Sequence, residues 1–363
     1  SMGTFDLPGR GRQLQKAIVG LPANREYSLV AQALVAGRPP LIKELVCRTK
    51  AAVPQMIAQW KPLEVDEGPV FAGDYCCILT KEQGYWSFLL STGEIIWRMS
   101  ELSPIESLVA NKQFVFVCER SGLIQAREWE DGKLRWEHRF SGRTSESVCT
   151  EDVLIIKNPN RGLTCLDVKS GKERWTMPRF VKGGWNIIGG KLYVYVIPGS
   201  LTIIDVNSGR RTFLPFLKSD RLTAEPYRVG NILCFPAEGR LLFVQEEKVL
   251  NEFNIGGKWA KTIADDKRIY AFNSKEDLLY AIDVKQAKYL WKAKAEIDLV
   301  GMYVAAGYLY MTDKNTLRCY RADSGLLLWN SKKRAARRFP MLPIKNGAVW
   351  CDRSGKLWKM IDR

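Results

Sequence analysis

Leu163-Thr-Cys-Leu-Asp-Val-Lys-Ser-Gly-Lys-Glu-Arg-Trp175 is the stretch of the chain that defines its fold. It predicts a short apolar strand, a Ser-Gly turn and a second strand that ends on a tryptophan. The tail of this stretch, a glycine followed four residues later by a large aromatic, recurs along the chain. The copies run from Gly93 to Trp97, Gly132 to Trp136, Gly171 to Trp175, Gly209 to Phe213 and Gly325 to Trp329, and weaker copies end on Phe253 and Trp291. Successive aromatics lie 38 to 40 residues apart, and a fixed period of this length indicates a repeat protein.

Each period has room for about four strands, so each unit is predicted to be a small antiparallel meander. One meander cannot bury its apolar face alone, whereas several arranged around an axis can, as in a β-propeller. The absence of a Trp-Asp dipeptide argues against the WD family, and Gly-Gly pairs that do not follow the repeat argue against kelch. We therefore predict an all-β fold: an eight-bladed β-propeller of four-stranded antiparallel blades, with a small N-terminal helical module.

The repeated phrase Leu-x-x-x-Asp-x-x-Ser-Gly-x-x-x-Trp resembles that of the quinoprotein propellers, the family of PQQ-dehydrogenase-like and BamB-like repeats. The resemblance covers about residues 60 to 363. It implies a propeller fold. It leaves the activity open, because the family contains both quinone-dependent dehydrogenases and members that bind no cofactor.

Residues 1–58 form the first of two predicted domains, and their composition differs from that of the rest of the chain. A flexible lead is followed by two predicted helices, Glu26 to Ala36 and Leu41 to Ala52, which the apolar spacing and the intervening Pro39-Pro40 pair indicate. A module this small cannot hold a stable core by itself. It must therefore pack on the propeller or on a partner.

The helical module resembles an F-box, the motif that docks substrate receptors onto a cullin-type ubiquitin ligase. The matching residues are Leu21-Pro22, Leu41 and Val46-Cys47. The resemblance implies docking onto a ligase adaptor through four residues: Leu41, Leu45, Val46 and Cys47. The alternative is a plain helical cap that shields one face of the propeller.

Residues 59–363 form the second predicted domain, the propeller itself. The last repeat supplies three strands: 339–343, 347–352 and 356–362. The chain stops where the outer strand of this repeat is due. Residues 56–63 can supply that strand, since Trp60 precedes Trp97 by about one repeat. Such an exchange between the two ends of the chain leaves no open edge in the ring.

The charge and the cysteines bear on partners and location. The formal net charge of +16 favours an acidic protein, nucleic acid or anionic lipid as partner. Neither an apolar run long enough to span a membrane nor a secretion signal is visible, so we predict no membrane span. The nine cysteines are odd in number and mostly scattered singly, which is typical of buried thiols in a reducing compartment. We therefore predict an intracellular protein of the cytoplasm or nucleus.

No catalytic constellation is visible in the sequence. His138 is the only histidine, which argues against multi-histidine metal sites and histidine-dependent catalysis. The adjacent Cys76-Cys77 pair resembles the cysteine bridge that some quinoprotein dehydrogenases place against their cofactor. The pair lies within the apolar strand Tyr75 to Thr80, where successive side chains point to opposite faces. We therefore predict a protein that is not an enzyme, with no cofactor and no metal site.

Two repeated residue types are predicted to be structural. Asp167, Asp205 and Asp283 precede the hairpin turns, where a carboxylate accepts backbone N–H groups. The repeated tryptophan is predicted to pack between neighbouring blades and to donate its indole N–H to one acceptor.

The densest run of positive charge is Lys332-Lys333-Arg334-Ala-Ala-Arg337-Arg338. It lies between the last Gly-x-x-x-Trp strand and the final repeat, where an exposed inter-blade loop is expected. Lys332, Lys333, Arg334, Arg337 and Arg338 are therefore the predicted contact for an acidic partner. The alternative is a solvated loop.

The sequence thus predicts a non-catalytic β-propeller scaffold that mediates protein–protein interaction, with an acidic macromolecule as partner. Three alternatives stay open. They are an F-box-like substrate receptor of a cullin-type ubiquitin ligase, a nucleic-acid-binding propeller and, more remotely, a quinoprotein dehydrogenase.

Overall fold

The computed structural model describes the chain in the following ranges: 26–33, 41–48, 55–59, 65–80, 84–100, 103–159, 161–178, 181–196, 200–214, 222–237, 239–246, 248–255, 261–299, 301–305, 307–313, 316–331, 342–344, 347–351 and 356–361. Side chains are described within these ranges from residue 70 to residue 330, apart from residues 182, 183 and 200.

Every helix or strand in the described ranges is a β-strand. The first three are β1 (Glu26–Ala33), β2 (Leu41–Arg48) and β3 (Gln55–Gln59). Blade 1 consists of β4 (Val65–Ala72), β5 (Tyr75–Thr80), β6 (Gly84–Leu89) and β7 (Ile95–Ser100). Blade 2 consists of β8 (Ile105–Ala110), β9 (Phe114–Glu119), β10 (Leu123–Glu128) and β11 (Leu134–Arg139). Blade 3 consists of β12 (Glu146–Cys149), β13 (Val153–Asn158), β14 (Gly162–Asp167) and β15 (Glu173–Met177).

Four more four-stranded sheets follow the same scheme. Blade 4 consists of β16 (Val181–Ile188), β17 (Lys191–Val196), β18 (Ser200–Asp205) and β19 (Arg211–Leu214). Blade 5 consists of β20 (Tyr227–Val229), β21 (Ile232–Ala237), β22 (Arg240–Gln245) and β23 (Lys248–Asn254). Blade 6 consists of β24 (Lys261–Ala264), β25 (Arg268–Asn273), β26 (Leu278–Asp283) and β27 (Lys288–Lys294). Blade 7 consists of β28 (Gly301–Ala305), β29 (Tyr308–Thr312), β30 (Leu317–Arg321) and β31 (Leu327–Ser331).

The last sheet combines the two ends of the chain. Its order is β3-β34-β33-β32, where β32 is Leu342–Ile344, β33 is Gly347–Cys351 and β34 is Lys356–Ile361. Gln55 lies opposite Lys359, and Gln59 lies opposite Lys356. A strand from before the first blade therefore holds the outer position that the sequence analysis gave to residues 56–63. The division of the chain into domains 1–58 and 59–363 stays a prediction.

Neighbouring sheets contact each other through their first strands. These contacts join β4 to β8, β8 to β12, β16 to β20, β20 to β24, β24 to β28 and β28 to β32. Blades 3 and 4 share one apolar core, and β33 contacts β4. The prediction of an all-β propeller of four-stranded antiparallel blades is confirmed.

The second strands of blades 2 and 3 lie deep in the core. Their sequences are nearly continuous apolar runs rather than alternating ones, which is typical of strands covered on both faces. Phe114 to Glu119 in β9 and Val153 to Ile156 in β13 are stretches in which successive residues are all buried. The outer strands of blades 5 and 6, by contrast, expose most of their residues.

The predicted N-terminal helical module is wrong for residues 26–33 and 41–48. These residues form β1 and β2, which pair antiparallel from Glu26 opposite Arg48 to Ala33 opposite Leu41. A short apolar run fits the helical and the strand period alike, and β1 is apolar at every second position from Tyr27 onward.

The F-box resemblance loses its helical basis in this part of the chain. The four proposed docking residues, Leu41, Leu45, Val46 and Cys47, lie on strand β2.

Candidate interaction surface

The repeated tryptophan links several blades to the blade that follows. In four blades its indole N–H donates to a backbone carbonyl of the following blade: Trp97 to Trp129 (2.8 Å), Trp136 to Val168 (2.7 Å), Trp175 to Val206 (2.8 Å) and Trp291 to Ala322 (3.1 Å). Each acceptor precedes the turn glycine of its blade by three residues. The prediction that this tryptophan packs between blades with one hydrogen-bond acceptor is confirmed.

The turn glycine of the next blade lies directly beneath the indole ring. At Gly171, where φ is +68°, an added Cβ would lie 2.6 Å from two ring carbons of Trp136. Gly132, Gly209 and Gly325 are equally close to Trp97, Trp175 and Trp291. The glycine is therefore needed for its left-handed backbone and for the space it leaves. We call the tryptophan, this glycine and the carbonyl acceptor the interblade lock.

The turn carboxylates are structural, as predicted. Asp167 accepts the backbone N–H groups of Lys169 and Ser170, and Asp205 and Asp283 accept the equivalent pairs in their own turns. The hydrogen bond from the Arg174 guanidinium, followed by those from Ser170, lowers the pKa of Asp167 to about 2. These carboxylates therefore stabilise the hairpin turns.

In blade 3 a β-bulge directs the tryptophan side chain towards the next blade. In β15, Glu173 lies opposite Leu166 and Trp175 lies opposite Cys165, so Arg174 is the extra residue. The outer strands β7, β11, β23, β27 and β31 show a register shift at the same place. A bulge of this kind re-aims the side chains that follow it.

Blade 4 lacks the bulge. Its strand β19 pairs without a register shift, so Thr212 lies opposite Ile203 and Phe213 lies opposite Thr202. Ile203 corresponds to Cys165, since each lies two residues before the turn aspartate. Thr212 therefore takes the tryptophan position.

Phe213 is consequently turned away from the next blade. A shift of one residue in a strand moves a side chain to the opposite face. Phe213 is 58% exposed, so the copy of the repeat that ends on it forms no interblade lock.

Blade 5 departs from the repeat in another way. Asn251 lies opposite Phe243 and takes the tryptophan position, whereas Phe253 lies two residues further along, opposite Leu241. Phe253 is buried and contacts Tyr289 of blade 6 with ring centroids 4.7 Å apart. The weaker copy ending on Phe253 is therefore also displaced from the lock position.

More than half of the large exposed apolar side chains lie on three successive blades. Five of the nine large exposed apolar residues in the described ranges lie on the outer strands of blades 4 to 6: Phe213, Val249, Leu250, Tyr289 and Leu290. We call this set the rim patch. The Nζ atom of Lys292 lies 3.8 Å from the ring centroid of Tyr289. Aromatic and aliphatic side chains beside cations are typical of protein-binding surfaces.

A basic pocket of about 410 Å³ lies at the outer edge of blade 4. Its charged residues are Lys191, Arg210, Arg211 and Asp205, and Thr212 lines it at the position that a tryptophan holds in blade 3. We call it the blade 4 pocket.

The other residues singled out from the sequence form no shared site. Cys76 and Cys77 are buried on β5, opposite Phe88 and Ser87, and burial raises the pKa of Cys77. His138 Nε2 lies 3.4 Å from Glu173 Oε1. The basic run Lys332 to Arg338 lies outside the described residues, so its role as a contact stays a prediction.

Within the described ranges, no three histidine, cysteine or acidic side chains are grouped so as to hold a metal ion. The same ranges contain no helix that could cross a membrane.

The sequence model of the family described as outer membrane protein assembly factor BamB matches residues 87–331. The chain belongs to the BamB family. Two curated BamB proteins are similar to it along most of their length. BamB of Shewanella oneidensis is 21% identical over 294 residues, which cover 69% of this chain and 73% of that protein. BamB of Yersinia pestis is 22% identical over 352 residues, which cover 88% and 83%.

The crystal structure of BamB from Moraxella catarrhalis has the same fold. It matches with a TM-score of 0.69 and 12% sequence identity, over 85% of this chain and 100% of that one.

The predicted intracellular location in the cytoplasm or nucleus is wrong, because the relatives of this chain are named as outer membrane assembly factors. The cysteine pattern misled the prediction for a physical reason. Burial raises the pKa of Cys118 to about 11 and that of Cys165 and Cys234 to about 12. Since the thiolate is the reactive form, such thiols stay inert in an oxidising compartment as well.

Proposed function

We propose that the protein is a non-catalytic scaffold that binds other proteins during outer membrane protein assembly. The observation that carries this proposal is the match to the BamB family over residues 87–331. Both curated relatives are named as assembly factors. Nothing in these names favours the quinoprotein dehydrogenase, nucleic-acid-binding or ubiquitin-ligase alternatives.

The rim patch is the surface that best suits such a scaffold. Tyr289 and Leu290 are 37% and 50% exposed, and Val249 and Leu250 are 42% and 48% exposed. The contact between Phe253 and Tyr289 joins β23 and β27, so these side chains belong to one region of the rim. Large exposed apolar groups that a monomer has no need to expose mark interaction sites.

An acidic partner is part of the proposal. The chain carries 55 Lys and Arg against 39 Asp and Glu, and a field of one sign attracts the opposite charge and speeds its association. The basic run Lys332 to Arg338 remains the proposed second contact.

The proposal is tested by photo-crosslinking in the organism that encodes the protein. A photoreactive amino acid replaces Leu290 of the rim patch, and the matched control replaces Leu134, which is 45% exposed on the outer strand of blade 2. We expect position 290 to crosslink to a component of the outer membrane assembly machinery and position 134 to give no such product. Mass spectrometry identifies the crosslinked protein.

A deletion strain provides the second measurement. Removal of the gene is expected to lower the amount of β-barrel proteins in the outer membrane, as measured by quantitative proteomics. Unchanged amounts of these proteins in the deletion strain would contradict the proposed function.

A further inference from the structure

Blade 4 differs from blade 3 in the charges around its turn aspartate. Lys191 lies opposite Asp205, where blade 3 has Val153 opposite Asp167. Arg211 lies opposite Ile204, where blade 3 has Glu173 opposite Leu166.

These differences change the local charge balance. Blade 3 sets the three cations Lys169, Lys172 and Arg174 against the two carboxylates of Asp167 and Glu173. Blade 4 sets the three cations Lys191, Arg210 and Arg211 against the single carboxylate of Asp205.

The one carboxylate of the blade 4 pocket is already engaged by its own turn. Asp205 accepts the N–H groups of Asn207 and Ser208 and the hydroxyl of Ser208. Among the causes that lower its pKa, the backbone hydrogen bond from Ser208 is the largest and the charge of Lys191 is a small one. In blade 3, by contrast, Arg174 Nη2 lies 2.6 Å from Asp167 Oδ2 and neutralises it.

The cations of the pocket have no comparable carboxylate partner. Lys191, Arg210 and Arg211 form no ion pair with another described residue, and Arg211 instead donates to the backbone carbonyl of Thr176 at 3.5 Å. All three residues are exposed. They can therefore rearrange around an incoming anion at low cost, since they lose no existing ion pair.

The pocket also has the shape of a receiving site. Thr212, which stands at the tryptophan position, lines the pocket, and the volume of about 410 Å³ gives room for side chains from outside. Phe213 follows Thr212 on β19 and points to the opposite face of the strand, so the pocket itself is lined mainly by polar and charged residues. Arginine is among the residue types that contribute most at protein interfaces.

We infer that the blade 4 pocket binds an acidic segment of the partner protein, with Lys191, Arg210 and Arg211 holding its carboxylates. This inference rests on the proposed function and gives it a binding site and a partner chemistry. The occupant is a peptide segment rich in aspartate or glutamate. The three cations outweigh the single negative charge of Asp205, so the net charge of the pocket is positive and attracts carboxylates.

A peptide-binding assay tests the inference. The probe is a fluorescein-labelled ten-residue peptide that alternates glutamate and alanine, and its matched control has glutamine in place of glutamate. Fluorescence polarisation measures both dissociation constants. We expect the glutamate peptide to bind the wild type at least about tenfold more tightly than the glutamine peptide, with affinity falling as salt rises.

Two charge-matched variants locate the binding. Arg210→Glu/Arg211→Glu alters the pocket, whereas Lys169→Glu/Lys172→Glu makes the same change of net charge on the exposed turn of blade 3. We expect about a tenfold loss of affinity in the first and less than about a threefold loss in the second. Equal losses in both variants would assign the binding to the overall positive field and overturn the inference.

A labelled DNA duplex separates carboxylate from phosphate recognition. If the duplex binds more tightly than the peptide and loses the same affinity in Arg210→Glu/Arg211→Glu, the pocket is a phosphate site and the acidic-protein assignment is wrong. We expect the duplex to bind with no such dependence on Arg210 and Arg211. Thermal unfolding of each variant confirms that it is folded.

The same variant in cells separates the inference from the proposed function. We expect Arg210→Glu/Arg211→Glu to lower the amount of outer membrane β-barrel proteins as the deletion does. If the deletion lowers them and the variant does not, the pocket inference is overturned and the proposed function stands. If the deletion itself has no effect, the proposed function fails, and the inference, which rests on it, fails with it.

Discussion

Blades 3 and 4 contain the same Asp-x-x-Ser-Gly phrase, yet their outer strands present different surfaces. In blade 3 a bulge at Arg174 brings Trp175 onto the turn of blade 4, where Gly209 and the carbonyl of Val206 receive it. In blade 4 the bulge is absent, so Thr212 takes the tryptophan position and Phe213 is exposed. A change of one residue in strand register thus separates a blade junction closed by a lock from one that packs without a lock, which we call the open junction.

The largest effect is expected where a lock is removed. Trp136→Ala deletes a buried indole and its hydrogen bond to Val168 and should lower the free energy of unfolding by about 3–5 kcal/mol. Phe213→Ala, the matched change at the open junction, should cost about 1 kcal/mol or less, since the ring is largely exposed. Urea denaturation measures both. Similar losses of stability in the two variants would show that Phe213 supports its blade junction as strongly as Trp136 supports the junction between blades 2 and 3.

A somewhat smaller effect is expected from the glycine side of the lock. Gly171→Ala places a Cβ against the indole of Trp136 at a left-handed backbone position and should cost about 2–4 kcal/mol. Gly190→Ala is the control, because its φ is +74° and nothing lies within 4 Å of the added Cβ. It should cost about 1 kcal/mol through backbone strain alone. Equal changes in the unfolding midpoint of Gly171→Ala and Gly190→Ala would mean that the contact between the added Cβ and the indole ring of Trp136 has no effect on stability.

The turn carboxylates should differ in their dependence on pH. The pKa of Asp167 is lowered to about 2 in the folded protein and is about 3.9 in the unfolded chain. The contribution of Asp167 is therefore fully present above about pH 5 and is lost as the pH falls towards 2. We expect about 1 kcal/mol at neutral pH after allowing for solvent screening at this surface site.

Asp167→Asn tests this contribution through unfolding measurements from pH 7 to pH 2. The difference in stability from the wild type should shrink over the acidic part of this range. Asp205→Asn should show a smaller difference, because Asp205 has no arginine partner equivalent to Arg174. If the difference in stability between Asp167→Asn and the wild type stays constant down to pH 2, the ionised carboxylate of Asp167 does not stabilise the fold.

The smallest effect is expected from changing the charge of the open junction. Arg211→Glu gives blade 4 the residue that blade 3 has at Glu173, and its stability should stay within about 0.5 kcal/mol of the wild type, because the side chain is exposed and unpaired. Thermal unfolding measures the change. A loss of more than about 2 kcal/mol would show that Arg211 supports the fold rather than a partner contact.

Local sequence patterns predicted much of this architecture. The Gly-x-x-x-Trp repeat indicated four-stranded blades, and the apolar runs around Phe116 and Ile155 marked strands buried on both faces. The turn role of Asp167 could also be predicted, since its hydrogen bonds join residues that are only two and three positions apart.

Predictions failed where one pattern is compatible with two structures. Residues 26–33 fit both a helical and a strand period, and only the pairing of β1 with β2 distinguishes them. The prediction of an intracellular location from the cysteines failed for a similar reason. Scattered thiols are compatible with any compartment once burial raises their pKa. The rim patch was missed, since an exposed Phe213 and a packed Trp175 follow their glycines at the same spacing.

The sequence by itself determined the repeat, the all-β class, the turn chemistry and the residue types that link the blades. The tertiary structure alone decided which copies of the repeat form a lock and which leave an open, basic rim. The physical reason is that turns and apolar runs depend on neighbours along the chain, whereas the register of an outer strand depends on a bulge formed against its partner strand. In blade 4 that difference of one residue turns Phe213 outward and leaves Thr212 in the tryptophan position.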